Sequence, residues 1–248
     1  MNIFIVTETS RNMRSLGRMA METKRNTAML VVLVYGVAVM LPPGIISLLF
    51  GGTLGENMSL LYSLLVSGPF AYGLAVFFLA MFRRQESEVQ QVFEGFEQFG
   101  KTLGLFFYVL LFTVLWTLLF IVPGIIAAIR YSQAYYVMVD HPEYSISQCV
   151  DESKTRMQGN KGKYFILNLS FIGWMLLCGI PLMIVEGIFA SGASAGAGGV
   201  VYLIFYLVAM LPYVWLGVYI YLTHVAFYEI LMGNLKAEPI TPELPLEV

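Results

Sequence analysis

Two ionisable residues, Arg130 and Glu186, lie inside otherwise apolar stretches. A guanidinium and a carboxylate in such places could neutralise each other, or could hold ions and protons in a water-filled cavity. An Arg at the centre of a membrane helix costs about 2.5–3.5 kcal/mol, so these side chains face a partner or a cavity. If the chain turns at Pro123-Gly124, Arg130 lies about 9 Å below the turn and Glu186 about 6 Å below the end of its own run. The matching depths predict a candidate intramembrane polar pair, direct or water-bridged. Elsewhere the sequence is poor in chemistry. Asp140, His141 and Glu143 form the only tight cluster of acid–base groups, and Asp-His-Pro-Glu reads better as a turn leading into a helix. Two His are too few for a metal cluster. Cys149 falls in a polar segment and Cys178 in an apolar run, so no disulfide is expected between them. Residues 159–163, Gly-Asn-Lys-Gly-Lys, lack the Gly-x4-Gly-Lys-Ser/Thr spacing and no strand precedes them, which excludes a phosphate loop. No catalytic, cofactor or metal site and no nucleic-acid partner is expected.

The elements that would hold such a pair follow from composition. The chain is 58% hydrophobic and 12% charged, with mean hydropathy +0.74. Soluble domains carry about 25% charged residues. Long apolar runs at about 28–50, 60–82, 103–129, 165–190 and 200–230 read as membrane helices. With five spans, Lys and Arg divide almost evenly between the two sides. A sixth span, made by turning at Pro123-Gly124, puts thirteen of the fourteen on one side and leaves Arg130 in a span. The expected architecture is an all-α polytopic bundle with spans at 28–50, 60–82, 103–122, 124–139, 165–190 and 200–230. Both termini are inside. The short fourth segment could cross the bilayer or lie at its interface. Residues 1–27 form a cytoplasmic amphipathic segment, 28–231 the membrane domain, and 232–248 a disordered cytoplasmic tail. External segments are short: 51–59, the Pro-Gly turn and 191–199.

Three cytoplasmic segments have amphipathic helical patterns. In the first, Ser10 is the expected N-cap, and Arg11, Arg14, Arg18 and Arg25 share a stripe suited to anionic lipid headgroups. The second sets Val89, Val92, Phe93, Phe96 and Phe99 against Glu86, Glu88, Glu94 and Glu97. Its Phe stripe is expected to pack on the protein's own surface, with a protein partner on this face as the alternative. In the third, Ser145 and Gln148 have capping-box spacing and Gly159-Asn160 is a stop signal. Ser67, Ala71 and Ala75 form a small-residue ridge suited to close helix packing. Oligomeric state is not legible.

Several pieces carry a resemblance. They are Gly68-Pro-Phe-Ala-Tyr-Gly73, Phe93-Glu-Gly-Phe96, Leu115-Trp-Thr-Leu-Leu-Phe-Ile-Val-Pro-Gly-Ile-Ile126, Arg130-Tyr-Ser132, Tyr136-Val-Met-Val-Asp140, Ser153 and Leu169-Ser-Phe-Ile-Gly-Trp174. From Gly68 to about Leu177 the chain resembles an uncharacterised family of bacterial integral membrane proteins, domain of unknown function family 975. The resemblance implies a multi-pass protein of the bacterial plasma membrane and supplies no catalytic residues. The function expected is a non-enzymatic structural or accessory membrane component. The alternative is a small transporter or permease built around Arg130 and Glu186, suggested by Pro42, Pro43, Pro69, Pro123, Pro181 and Pro212 in or near the spans.

Overall fold

A computed structural model describes residues 5–189 and 197–235. The small-residue loop around 190–196 and the tail from 236 onward lie outside the described residues. The described residues form helices and turns without strands. Five stretches are long and apolar enough to cross a membrane: Arg25–Phe50, Gly52–Phe82, Phe99–Leu119, Lys161–Phe189 and Ile204–Leu231.

Helix α1 (Ser10–Thr23) is capped by Thr9, whose side chain accepts from the Asn12 N–H at 3.2 Å, one residue before the expected cap. An elbow at Lys24 starts α2 (Arg25–Phe50), so Arg25 belongs to a different helix from Arg11, Arg14 and Arg18. Proline at 42 has no N–H for the Ala38 carbonyl. The Tyr62 hydroxyl donates to that carbonyl at 2.6 Å, which satisfies the freed group from the next helix. The expected external segment 51–59 is almost entirely helical. Gly51 and Gly52, both with positive φ, make a sharp corner and α3 (Gly52–Phe82) begins at once. Glycine alone adopts this backbone without steric cost.

A 3-10 helix, Val89–Phe96, then runs back along α3. The two pack backbone to backbone. A Cβ at Gly73 would overlap the Val92 carbonyl, and one at Gly95 would overlap the Pro69 carbonyl. Val92 is buried, and Phe93 and Phe96 lie edge-on to Phe70 while staying partly exposed. The apolar stripe therefore does pack on the protein itself. Backbone approaches α3 closely at Gly68 and Gly73. A Cβ at Gly68 would meet the Thr102 carbonyl of α4 at 2.6 Å.

Helix α4 (Phe99–Leu119) ends in an extended residue, Phe120, and α5 (Ile121–Tyr131) folds back against it. The turn thus lies three residues before Pro123-Gly124. Pro123 instead occupies the first turn of α5, where its missing N–H costs nothing. Gly124 fits against Thr117. The expected single helix 124–139 is two helices, α5 and α6 (Ala134–Asp140). The break has a local cause. Ser153, from α7 (Ile146–Arg156), donates its hydroxyl to the Arg130 carbonyl at 2.7 Å and accepts from the Gln133 N–H at 3.3 Å. One side chain inserted into the ladder serves both freed groups. The Ser145–Gln148 capping box forms as expected, and Gly159 has φ +79°. The fifth apolar run is α8 (Lys161–Leu169) and α9 (Ile172–Phe189), and α10 (Ala197–Leu231) closes the chain.

Burial is uneven along the bundle. Large apolar side chains are exposed on α2, on the first half of α3, and on α9 from Ile172 to Ile188. The second half of α3, α6, α7 and residues 214–231 of α10 form a dense tier around Phe77, Phe78, Phe227 and Tyr228. Because the α3 contact in that tier is backbone on backbone, Gly73→Ala forces a shift that overpacking data put at about 1–3 kcal/mol. Denaturant unfolding in detergent should show that loss, whereas Gly36→Ala, with open space around it, should show none.

Candidate functional site

The strongest concentration of charge lies where α3, α6 and α10 end together. Arg83, the residue after α3, donates through Nη1 and Nη2 to Asp140 Oδ1 and Oδ2 at 2.6 and 2.8 Å. Its Nε donates to Glu229 Oε1 at 2.7 Å. The Tyr228 hydroxyl also donates to Asp140 Oδ2 at 2.8 Å, and Asn234 Nδ2 donates to Glu229 Oε2 at 2.8 Å. The side chains of Arg83, Asp140 and Glu229 are 27%, 17% and 4% exposed, so this is a largely desolvated cluster. The guanidinium uses its planar fork on one carboxylate and its remaining edge on the other.

Local backbone aims Arg83 at its partners. The α3 terminus closes with Gln85 N–H donating to the Ala80 carbonyl at 2.8 Å and Arg84 N–H to Met81 at 3.2 Å. Arg84 takes φ +56°, the left-handed position that usually holds glycine in such a cap. Burial pushes the Asp140 carboxyl up, but hydrogen bonds from Arg83 and Tyr228 outweigh it and hold it below the ordinary Asp value. The Asp140 hydrogen bonds raise the Arg83 guanidinium against the opposing pull of burial. Every strong group in the cluster is committed to another. No carboxylate is left as a general base, and the arrangement works as a clamp on three helix ends.

A second polar layer lies beside it. His224 Nε2 and Asn168 Oδ1 are 3.1 Å apart, joining α10 to α8. Asn160 accepts the Val6 N–H on Oδ1 at 2.8 Å, which anchors the segment before α1. Among the described residues no group of three or more His, Cys, Asp or Glu is placed to hold a metal ion. Cys149 and Cys178 are both free thiols.

The clamp is not the site the sequence points to. Arg130 lies in the last turn of α5, ten residues beyond the Phe120 turn, hence about 15 Å from it. Glu186 remains near the far end of α9, exposed, in a depression of about 390 Å³ with Met183, Gly179 and Tyr213 that no α5 residue lines. Moving the turn removes the depth match, and no hydrogen bond or ion pair joins Arg130 to Glu186. In the sequence Asp140 reads as part of a turn, and Arg83 and Glu229 stand near the ends of apolar runs with nothing local to mark them. Two adjacent cations at the end of one apolar run, with single carboxylates ending two others, are the signal that links them.

The family described as "Protein of unknown function (DUF975)" matches residues 114–234. The chain resembles that family. The match begins after Gly68–Gly73 and Phe93–Phe96 and runs through the final helix. It contains Asp140, Tyr228, Glu229 and Asn234, while Arg83 lies before it. No curated protein and no solved structure matches the chain.

Two outcomes follow from the clamp. Arg83→Ala leaves the buried Glu229 and the half-buried Asp140 without their countercharge; breaking a buried pair costs about 3–5 kcal/mol, and the partial exposure of Arg83 and Asp140 points to the lower end. Thermal unfolding in detergent at neutral pH checks this. Because the folded-state value of Asp140 is depressed, its contribution is complete above the ordinary Asp value of about 3.9 and is lost as pH falls through the lower folded value. The unfolding midpoint should therefore drop below about pH 4, and Asp140→Asn should start lower at pH 7 and depend less on acid.

Proposed function

We propose that this protein is a non-enzymatic structural or accessory component of a cell membrane, with six traverses and both termini on the cytoplasmic side. The observation that carries the non-enzymatic reading is the clamp, where each ionised group of Arg83, Asp140 and Glu229 is spent on another. A reaction centre needs a free nucleophile, base or bound metal converging on open space. A solute path needs polar groups lining a cavity, and here they close the bundle instead.

The six-traverse reading rests on chain direction. The 3-10 helix carries the chain from Arg83 back to the level of Gly68, α4 starts there, and α5 turns back at Phe120. By Asp140 the chain has returned to bonding distance of Arg83. Residues 121–140 are long enough for the crossing, at about 1.5 Å per residue. The thirteen basic residues outside Arg130 belong to polar stretches that this path brings to one end, as the positive-inside bias requires. The family resemblance extends the reading to the bacterial plasma membrane.

Two measurements test it. In a background with Cys149 and Cys178 replaced by Ala, Gln90→Cys and Glu143→Cys should react with an impermeant maleimide from the same side, and Glu56→Cys, exposed near the start of α3, from the opposite one. Labelling of Gln90→Cys and Glu143→Cys from opposite sides would remove the sixth traverse. Purified protein in proteoliposomes should give no solute-driven current above empty vesicles. A current abolished by Arg130→Gln would favour the permease reading.

A further inference from the structure

We propose that the groove between α1, α9 and α10 is a binding site for the phosphoryl headgroup of an anionic phospholipid. The site would exist whether or not the protein carries solutes.

Arg11, Arg14 and Arg18, spaced three and four apart, lie on one stripe of α1 and line a groove of about 500 Å³ with Ser15, Trp174 and Tyr219. The opposite stripe, Met13, Gly17 and Met21, is buried, and Gly17 lies close enough to Thr223 that a Cβ would meet its hydroxyl at 2.7 Å. The helix is thus fixed on α10, which sets the backbone positions of its three arginines. Among the described residues none of the three has a carboxylate within ion-pair distance; Glu22, one turn beyond Arg18, lines the adjoining elbow cavity with Arg18, Lys24 and Arg25.

Two of the guanidiniums are pre-oriented while keeping most of their donors. Arg14 spends one Nη1 donor on the Ser170 carbonyl at 3.3 Å, at the break between α8 and α9. Arg18 lies over the Tyr219 ring, 5.9 Å from its centroid. A planar guanidinium matches phosphate oxygens in two-point hydrogen bonding. Position selects a lipid as the source of that phosphate. The exposed apolar stretch of α9 begins at Ile172, beside the groove, and Trp174 is 43% exposed within it. An indole next to cations at the edge of an apolar belt is the arrangement found at headgroup depth. Exposed Met19 adds apolar contact on the α1 side. A soluble phosphate would use the arginines and gain nothing from these apolar neighbours.

The test compares thermal stability of the full chain in phosphatidylcholine micelles titrated with phosphatidylglycerol. Wild type should gain stability saturably. Each cation near an anionic lipid contributes enough for about a fivefold change, so Arg11→Gln should weaken half-saturation about fivefold and R11Q/R14Q/R18Q roughly a hundredfold. Arg11 makes no polar side-chain contact among the described residues, so its single variant reads binding even if the triple variant fails to fold. A variant losing three cations elsewhere, K101Q/K154Q/K161Q, should keep the wild-type response. Equal loss in that variant, or an unchanged response in Arg11→Gln, would overturn the site. Glycerol 3-phosphate should not reproduce the gain; if it does, the groove is a soluble-phosphate site and the lipid assignment fails.

Discussion

The clamp at Arg83 sets the geometry of the bundle, because a guanidinium with little water must find its countercharges at fixed distances. Its two carboxylate partners come from α6 and from the far end of α10, 57 and 146 residues along the chain. Three helix ends are therefore brought to one level. The segment from Phe120 must travel the full distance back to deliver Asp140, and it bends at Ser132-Gln133 on the way. The 35-residue α10 must run long enough to present Tyr228 and Glu229 together. Desolvating these charges costs several kcal/mol per ion, which the attraction only partly offsets. The cluster thus does more to fix the register of the helices than to add net stability.

Around that clamp, the dense tier is made by backbones in contact. Gly68, Gly73 and Gly95 remove the side chains that would separate α3 from α4 and from the 3-10 helix. This explains physically why a Gly-Pro-Phe-Ala-Tyr-Gly piece stands where it does: its glycines make room and its aromatics fill the adjoining core. The opposite end of the bundle is built otherwise. There the helices expose Leu, Ile and Phe, and the freed carbonyl before Pro42 is answered by Tyr62.

Much of this frame could be read from residue order. The apolar runs gave the long helices, the Ser145–Gln148 spacing gave its cap, and the Phe stripe gave its own packing. The turn before α5 was misread because Pro-Gly is a strong turn signal in isolation. Here the extended Phe120 makes the turn, and Pro123 suits the first helical turn equally well. The break at Ser132 was hidden because it depends on Ser153, a side chain from another helix. Arg130 and Glu186 share no direct hydrogen bond or ion pair, and their matching depths had been counted from a turn placed three residues too late. Arg83, Asp140 and Glu229 escaped notice because each looks ordinary beside its own neighbours, and only tertiary structure makes them one object.

The wide sequence separation within the clamp bears on biosynthesis. Arg83 leaves the ribosome 146 residues before the carboxylate that completes its environment. At about 5–20 residues per second, that delay is roughly 7–30 s. During it, Arg83 must stay hydrated at the membrane surface, and the ends of α3 and α6 cannot take their final packing around it. The nascent chain is thus held in an incomplete state until its last helix arrives. A chain cut short before Glu229 would keep almost all of its apolar segments and still lack the charge that closes the bundle.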